Sequence, residues 1–140
     1  MKQELDKLLC ERYPKMMVNR DKSMQETCMC WGFECGDGWF NILDQLMGNI
    51  QHHIDWKNRT EEVVAQVTLD QVKEKFGTLR FYYTGGDDYI DGLVSMAESM
   101  SGVTCEECGN PGNRVGGGWV TTLCKEHAEA RGIYESVVND

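Results

Sequence analysis

The chain has 140 residues, with 41% hydrophobic and 26% charged residues and a formal net charge of -9. That length suits one cored domain with a small appended module. No run of eighteen apolar residues is present, which excludes a membrane-spanning helix by pattern. The negative charge removes the general attraction to phosphate on which unspecific nucleic-acid binding depends.

Residues 2–13 read as a short amphipathic helix, with Leu5, Leu8, Leu9 and Tyr13 at helical spacing and Pro14 limiting it. This charged start has no apolar signal region, so secretion is not expected. Residues 17–37 are rich in Met and Cys and show no clean period. Within them Cys30–Phe33 is a candidate short strand. Asp37 is a plausible N-cap for the next helix. In that helix Trp39, Ile42, Leu43, Leu46, Met47, Ile50 and Ile54 mark one apolar face. Gly48 weakens it by about 1 kcal/mol relative to Ala, which suggests a close packing contact.

Residues 63–69 alternate as a half-buried strand, with Val63, Ala65, Val67 and Leu69 on one face. LRFYY at 79–83 is a second strand, placing Leu79, Phe81 and Tyr83 opposite Arg80 and Tyr82. The intervening DQVKEKFG is read as a continuation of the first strand into a hairpin closed near Gly77, in preference to a helical turn. A helix capped by Asp87 or Asp88 follows, with Ile90, Leu93, Val94, Ala97 and Met100 inward and Ser101-Gly102 at its end. A last helix is expected over 125–138.

Between these two helices lies CEECGNPGNRVGGGWVTTLCKEH. Cys105 and Cys108, then Cys124 and His127, have the spacing of a tetrahedral structural zinc site. Gly109 permits a knuckle turn, the three glycines at 116–118 a hairpin before the strand WVTTL, and the last ligand pair begins a helix. Knuckle, hairpin and helix together resemble a treble-clef finger. Four protein ligands make the metal structural, not catalytic. The overall expectation is an α+β fold: a helix-rich domain with a β-hairpin over 1–102, and a zinc finger with C-terminal helix over 103–140, packed as one unit.

Seven cysteines leave Cys10, Cys28, Cys30 and Cys35 outside that site. Reduced thiols suit the cytoplasm. Cys28, Cys30 and Cys35 are read chiefly as buried or free thiols, with a second metal as the lesser reading. His52 and His53 are adjacent on one helix and point about 100° apart, so they do not share a face. Lys73, Lys75 and Arg80 place three cations within eight residues of an acidic chain. With Tyr82 they suit either a solvated face or a small anion or nucleotide site, depending on register.

Three segments, GFECGDGWFNILDQL, QVKEKFGTLRFYY and the cysteine block, resemble a family of small zinc-finger proteins encoded by bacteriophages and prophages. The resemblance runs from about Gly32 to His127. It implies that Cys105, Cys108, Cys124 and His127 bind metal. It gives Glu34, Asp37, Trp39, Lys73, Lys75, Phe76, Gly77, Arg80 and Tyr82 as recurring positions without an assigned role. By analogy the chain is expected to be a non-enzymatic binder in the host bacterial cytoplasm. Its partner would be a host or defence protein, or a nucleotide signal. Asp37, Lys75 and Arg80 would converge on one site, with Trp39 or Tyr82 for stacking; a homo-oligomer stays open. Two other readings are a nucleic-acid-binding zinc-finger regulator, which the acidic C-terminal half opposes, and a small hydrolase or nuclease using Glu34, Asp37 and a histidine. Residues 85–140 hold three Lys/Arg against ten Asp/Glu.

Overall fold

The computed structural model describes residues 1–134. It is an α+β fold. Helix α1 (Gln3–Arg12) is followed by an irregular stretch, strand β1 (Phe33–Glu34) and the long helix α2 (Phe40–Lys57). Strands β2 (Thr68–Lys75) and β3 (Thr78–Thr84) form the hairpin, and helix α3 (Asp88–Ser101) returns over it. The C-terminal module comprises β4 (Asn113–Val115), β5 (Thr121–Leu123) and α4 (Lys125–Ala130). Among the described residues no helix is long and apolar enough to cross a membrane.

One core joins α1, α2, α3 and one face of the sheet β1-β2-β3, in which β1 runs parallel to β2. Leu43, Leu46, Met47, Ile50 and Ile54 are buried along α2, as the helical pattern requires. Gly48 does mark a close contact: a Cβ there would lie 3.2 Å from the Tyr13 hydroxyl. Helix α3 begins at the expected cap, where the Asp87 carboxylate accepts the Ile90 N–H at 3.0 Å. It buries Ile90, Val94 and Ala97, while Met100 faces outward.

Helix α3 also closes the free edge of the sheet. The outward N–H groups of Leu79 and Phe81 donate to Ser101 Oγ at 2.8 Å and to a Glu98 carboxylate oxygen at 2.9 Å. An edge strand thus loses the open donors that invite pairing with another chain. The irregular stretch is held by polar clamps where periodicity is missing. Asp6 accepts from the Phe33 N–H and from Arg20, Arg20 reaches the Cys30 carbonyl, and Asn19 reaches the Leu69 carbonyl.

Several boundaries differ from expectation. Cys28–Trp31 is a 3-10 turn, and the short strand comes after it at Phe33–Glu34. Asp37 does not cap α2. It opens a second 3-10 turn, Asp37–Trp39, and its carboxylate accepts the Lys2 N–H at 2.7 Å. Residues 63–67 lie outside the strands, and Val64 and Val67 are buried while Val63 and Ala65 are exposed. The pairing partner runs out there: β3 ends at Thr84, and the Gly86 N–H donates to the Ala65 carbonyl. The hairpin itself forms as expected, and β2 carries DQVKEK. Trp119 lies in a loop, since β5 starts only at Thr121. Helix α4 stops at Ala130. Gly132 has φ +76, and the N–H groups of Gly132 and Ile133 bond back to Glu129 and Ala128, a Schellman ending. Residues 131–134, expected as helix, are turn and irregular chain, and 135–138 fall outside the described residues.

Candidate metal centre and the adjoining sheet face

The C-terminal module brings four ligands to one point. Cys105 and Cys108 come from a knuckle closed by Gly109, whose φ is +80 and whose N–H bonds the Cys105 carbonyl at 2.9 Å. Cys124 is the N-cap of α4, and His127 lies on its first turn. The ligand atoms of Cys105, Cys108, Cys124 and His127 all lie within 4.8 Å of one another. Cys108 Sγ and Cys124 Sγ are 3.8 Å apart. His127 Nδ1 is 3.1 Å from Cys124 Sγ and 3.7 Å from Cys105 Sγ. A tetrahedral ion with metal–sulfur bonds of about 2.3 Å and a metal–nitrogen bond of about 2.0 Å requires S–S edges of about 3.8 Å and S–N edges of about 3.5 Å. The constellation has that size, so these residues fit a metal ion. Burial raises the Cys105 thiol pKa, but backbone hydrogen bonds outweigh it and bring it down to about 7. A thiol so placed gives up its proton readily, as a metal ligand must.

Sequence reasoning missed the group behind the imidazole. With Nδ1 facing the sulfurs, His127 Nε2 faces Glu107 Oε2 at 4.0 Å, and Glu107 Oε1 meets Arg131 at 2.8 Å. At 4.0 Å the carboxylate is beyond hydrogen-bond distance and acts on the imidazole as a nearby negative charge. Glu107→Gln should therefore lower metal affinity by about 10-fold, the low end for a carboxylate behind a ligating histidine. Competition with a chromophoric chelator measures this, and an unchanged affinity would remove Glu107 from the site.

The Glu-Cys-Gly-Asp-Gly-Trp segment is the socket of the knuckle. The Gly36 N–H donates to a Glu106 carboxylate oxygen at 2.8 Å, and the Gly38 N–H donates to the Glu106 carbonyl at 2.7 Å. The Trp39 indole N–H donates to the Thr104 carbonyl at 2.9 Å. Trp39 is fully buried, so it offers no ring face to a ligand. Burial pushes the Glu106 carboxyl pKa up, partly offset by the Gly36 N–H. On the other side Thr122 Oγ1 donates to the Gly77 carbonyl, docking the hairpin tip on β5.

The hairpin register places Lys73 opposite Arg80, and Lys75 opposite Thr78. Directly paired residues share a face, so Lys73 and Arg80 stand together on the side away from the core. Glu34 pairs with Lys73 from β1 and is exposed at that edge. Lys73 Nζ lies 5.9 Å from the Tyr82 ring centroid. Arg80 is half-buried, and its Nε is buried without a hydrogen-bond partner. Glu74 forms no ion pair with these cations; its carboxylate accepts the Gly77 N–H at 2.8 Å. Among the described residues no ion pair involves Lys73, Lys75 or Arg80.

The expected convergence is thus divided. Lys73, Arg80 and Tyr82 form one face, and Lys75 continues it toward the hairpin tip. Asp37 belongs elsewhere, in a cleft with Met1, Lys2, Gly36, Glu106, Glu107 and Arg131. His53 pairs with Asp87 at 2.7 Å and stacks on Tyr89 with centroids 4.3 Å apart. Glu34 and Asp37 form no close cluster with a histidine among the described residues. Cys28, Cys30 and Cys35 do not gather either: the Cys3His set is the one close ligand group among the described residues. Cys35 is buried, and burial pushes its thiol pKa up to about 12. No family model, curated protein or solved structure matches the chain.

Proposed function

We propose that the chain is a non-enzymatic binding protein of the phage type, held together by structural zinc and acting in the host cytoplasm on a nucleotide signal of defence. Three thiolates and one imidazole in a tetrahedron of this size favour zinc over harder or square-planar ions. With four protein ligands the metal keeps no open position, so its part is to fix the module. The net charge of -9 and the acidic zinc module weigh against a duplex-reading finger.

One observation carries the binding face: the buried, partnerless Arg80 Nε beside the unpaired Lys73. The Nε is sealed from solvent, so a ligand would meet the outer guanidinium nitrogens beside Lys73, and a phosphate oxygen is the acceptor they suit best. Tyr82 backs the pair with an exposed ring. Calorimetric titration with tripolyphosphate at low salt is the test. Binding should weaken about 10- to 100-fold in Arg80→Ala, the scale of one lost charge-assisted hydrogen bond. It should weaken further in the double variant with Lys73→Ala. No detectable binding to the wild-type chain would sink this reading and leave a protein target as its replacement.

A further inference from the structure

The hairpin tip carries a ring that the fold does not need. Phe76 takes φ +55 at the first central position of the two-residue turn. That left-handed conformation is a rare one for a bulky residue, and Asn, Asp or Gly usually fill it. Its ring is 66% exposed, so burial returns nothing for the strain. Trp119 is in the same condition, 79% exposed at the end of the glycine run 116–118.

Both residues border one space. Phe76 and Trp119 line a cleft of about 410 Å³ between the hairpin tip and the β4–β5 loop, together with Glu74, Lys75, Gly118 and Val120. That volume lies within the range of small-molecule sites. Lys75 Nζ sits 5.5 Å from the Phe76 centroid. By strand alternation Lys75 shares a face with Lys73, about 7 Å further along, and Lys73 stands opposite Arg80. Lys75 belongs both to the cleft and to the cation face, and so links the aromatic residues to Lys73 and Arg80.

We propose that this cleft takes the base of a nucleoside di- or triphosphate, whose phosphate chain runs over Lys75 toward Lys73 and Arg80. This rests on the anion-binding reading above and adds the part of the ligand that reading leaves open. Exposed rings on two separate modules can sandwich any nucleobase, because every base has a π-face. A proline-rich or aromatic peptide would use the rings and leave the cation row idle.

The experiment compares ATP with tripolyphosphate on the zinc-loaded full chain, in magnesium-free, low-salt buffer. ATP should bind about tenfold tighter, the scale of one stacked base. Phe76→Gly and Trp119→Ala should each bring ATP down to the tripolyphosphate affinity and leave tripolyphosphate binding unchanged. Phe76→Gly suits the left-handed turn, so its melting temperature should not fall, which separates a lost ligand from a lost fold. Equal wild-type affinities, or ring variants that keep the preference for ATP, overturn the cleft and leave the anion face standing. Failure of both ligands to bind overturns the anion face and the cleft together.

Discussion

Removing the metal, by chelation or by Cys124→Ser, is expected to lower the melting temperature of the whole protein by more than about 10 °C. Finger-type zinc binding supplies on the order of 10 kcal/mol of folding energy. The module has little else to stand on. Its apolar cluster is Cys105, Val115, Leu123 and Ala128, and one of those four is itself a ligand. The loss does not stop at the module, because the main core closes on it. When the knuckle loosens, Trp39 loses its Thr104 acceptor, Gly36 and Gly38 lose Glu106, and Gly77 loses Thr122. A buried indole N–H without a partner costs about 1–3 kcal/mol by itself. Metal analysis should give one ion per wild-type chain and none in Cys124→Ser. A mutant that keeps its ion and its melting curve would overturn the ligand assignment.

What the sequence shows of this molecule follows the range of the interactions. The ligand quartet is legible because two-residue gaps are a local constraint: Cys105 with Cys108, and Cys124 with His127, each need only one turn of chain. Helices α2 and α3 are legible for the same reason, since Leu43 to Ile54 and Ile90 to Ala97 repeat at 3.6 residues. The hairpin is legible as alternation, but its register is not. Register follows from a two-residue turn at Phe76-Gly77, and a phenylalanine at φ +55 is not what turn chemistry suggests. Only with that turn fixed do Lys73 and Arg80 come to one face. Residues 63–67 mislead because β-branched composition reports fitness for extended chain, not the presence of a partner. The GDGW segment misleads most. Asp37 before an apolar helical run has the look of a cap, and a tryptophan beside it has the look of a binding surface. Their contacts are with Lys2, Thr104 and Glu106, and Glu106 lies 70 residues from Gly36. No pattern within GDGW encodes that distance.

The seam makes its own prediction, separable from the metal. Gly38→Ala should destabilise the protein by about 3 kcal/mol while leaving one metal ion bound per chain. A Cβ at Gly38 would lie 2.6 Å from both the Glu106 carbonyl carbon and the Gly109 nitrogen, and closer still to the Cys105 carbonyl oxygen. All three are backbone atoms of the knuckle, so no rotamer change clears them. The chain must move apart, at an overpacking cost of about 1–3 kcal/mol. The Gly38–Glu106 and Trp39–Thr104 hydrogen bonds stretch with it, at about 1 kcal/mol each. The clash falls on the backbone carbonyl of Cys105 and on no ligand sulfur or imidazole, so the ion should stay. Trp39 should become accessible, giving red-shifted and more readily quenched fluorescence. Gly117→Ala is the matched control: a Cβ there meets nothing within 4 Å and should change stability by less than about 0.5 kcal/mol. If Gly38→Ala melts like Gly117→Ala, the glycines of GDGW are not there for the knuckle. If it melts low with metal retained, the zinc acts on the main domain through this socket. The sheet face of Lys73 and Arg80 is then steadied from a module that contributes neither residue.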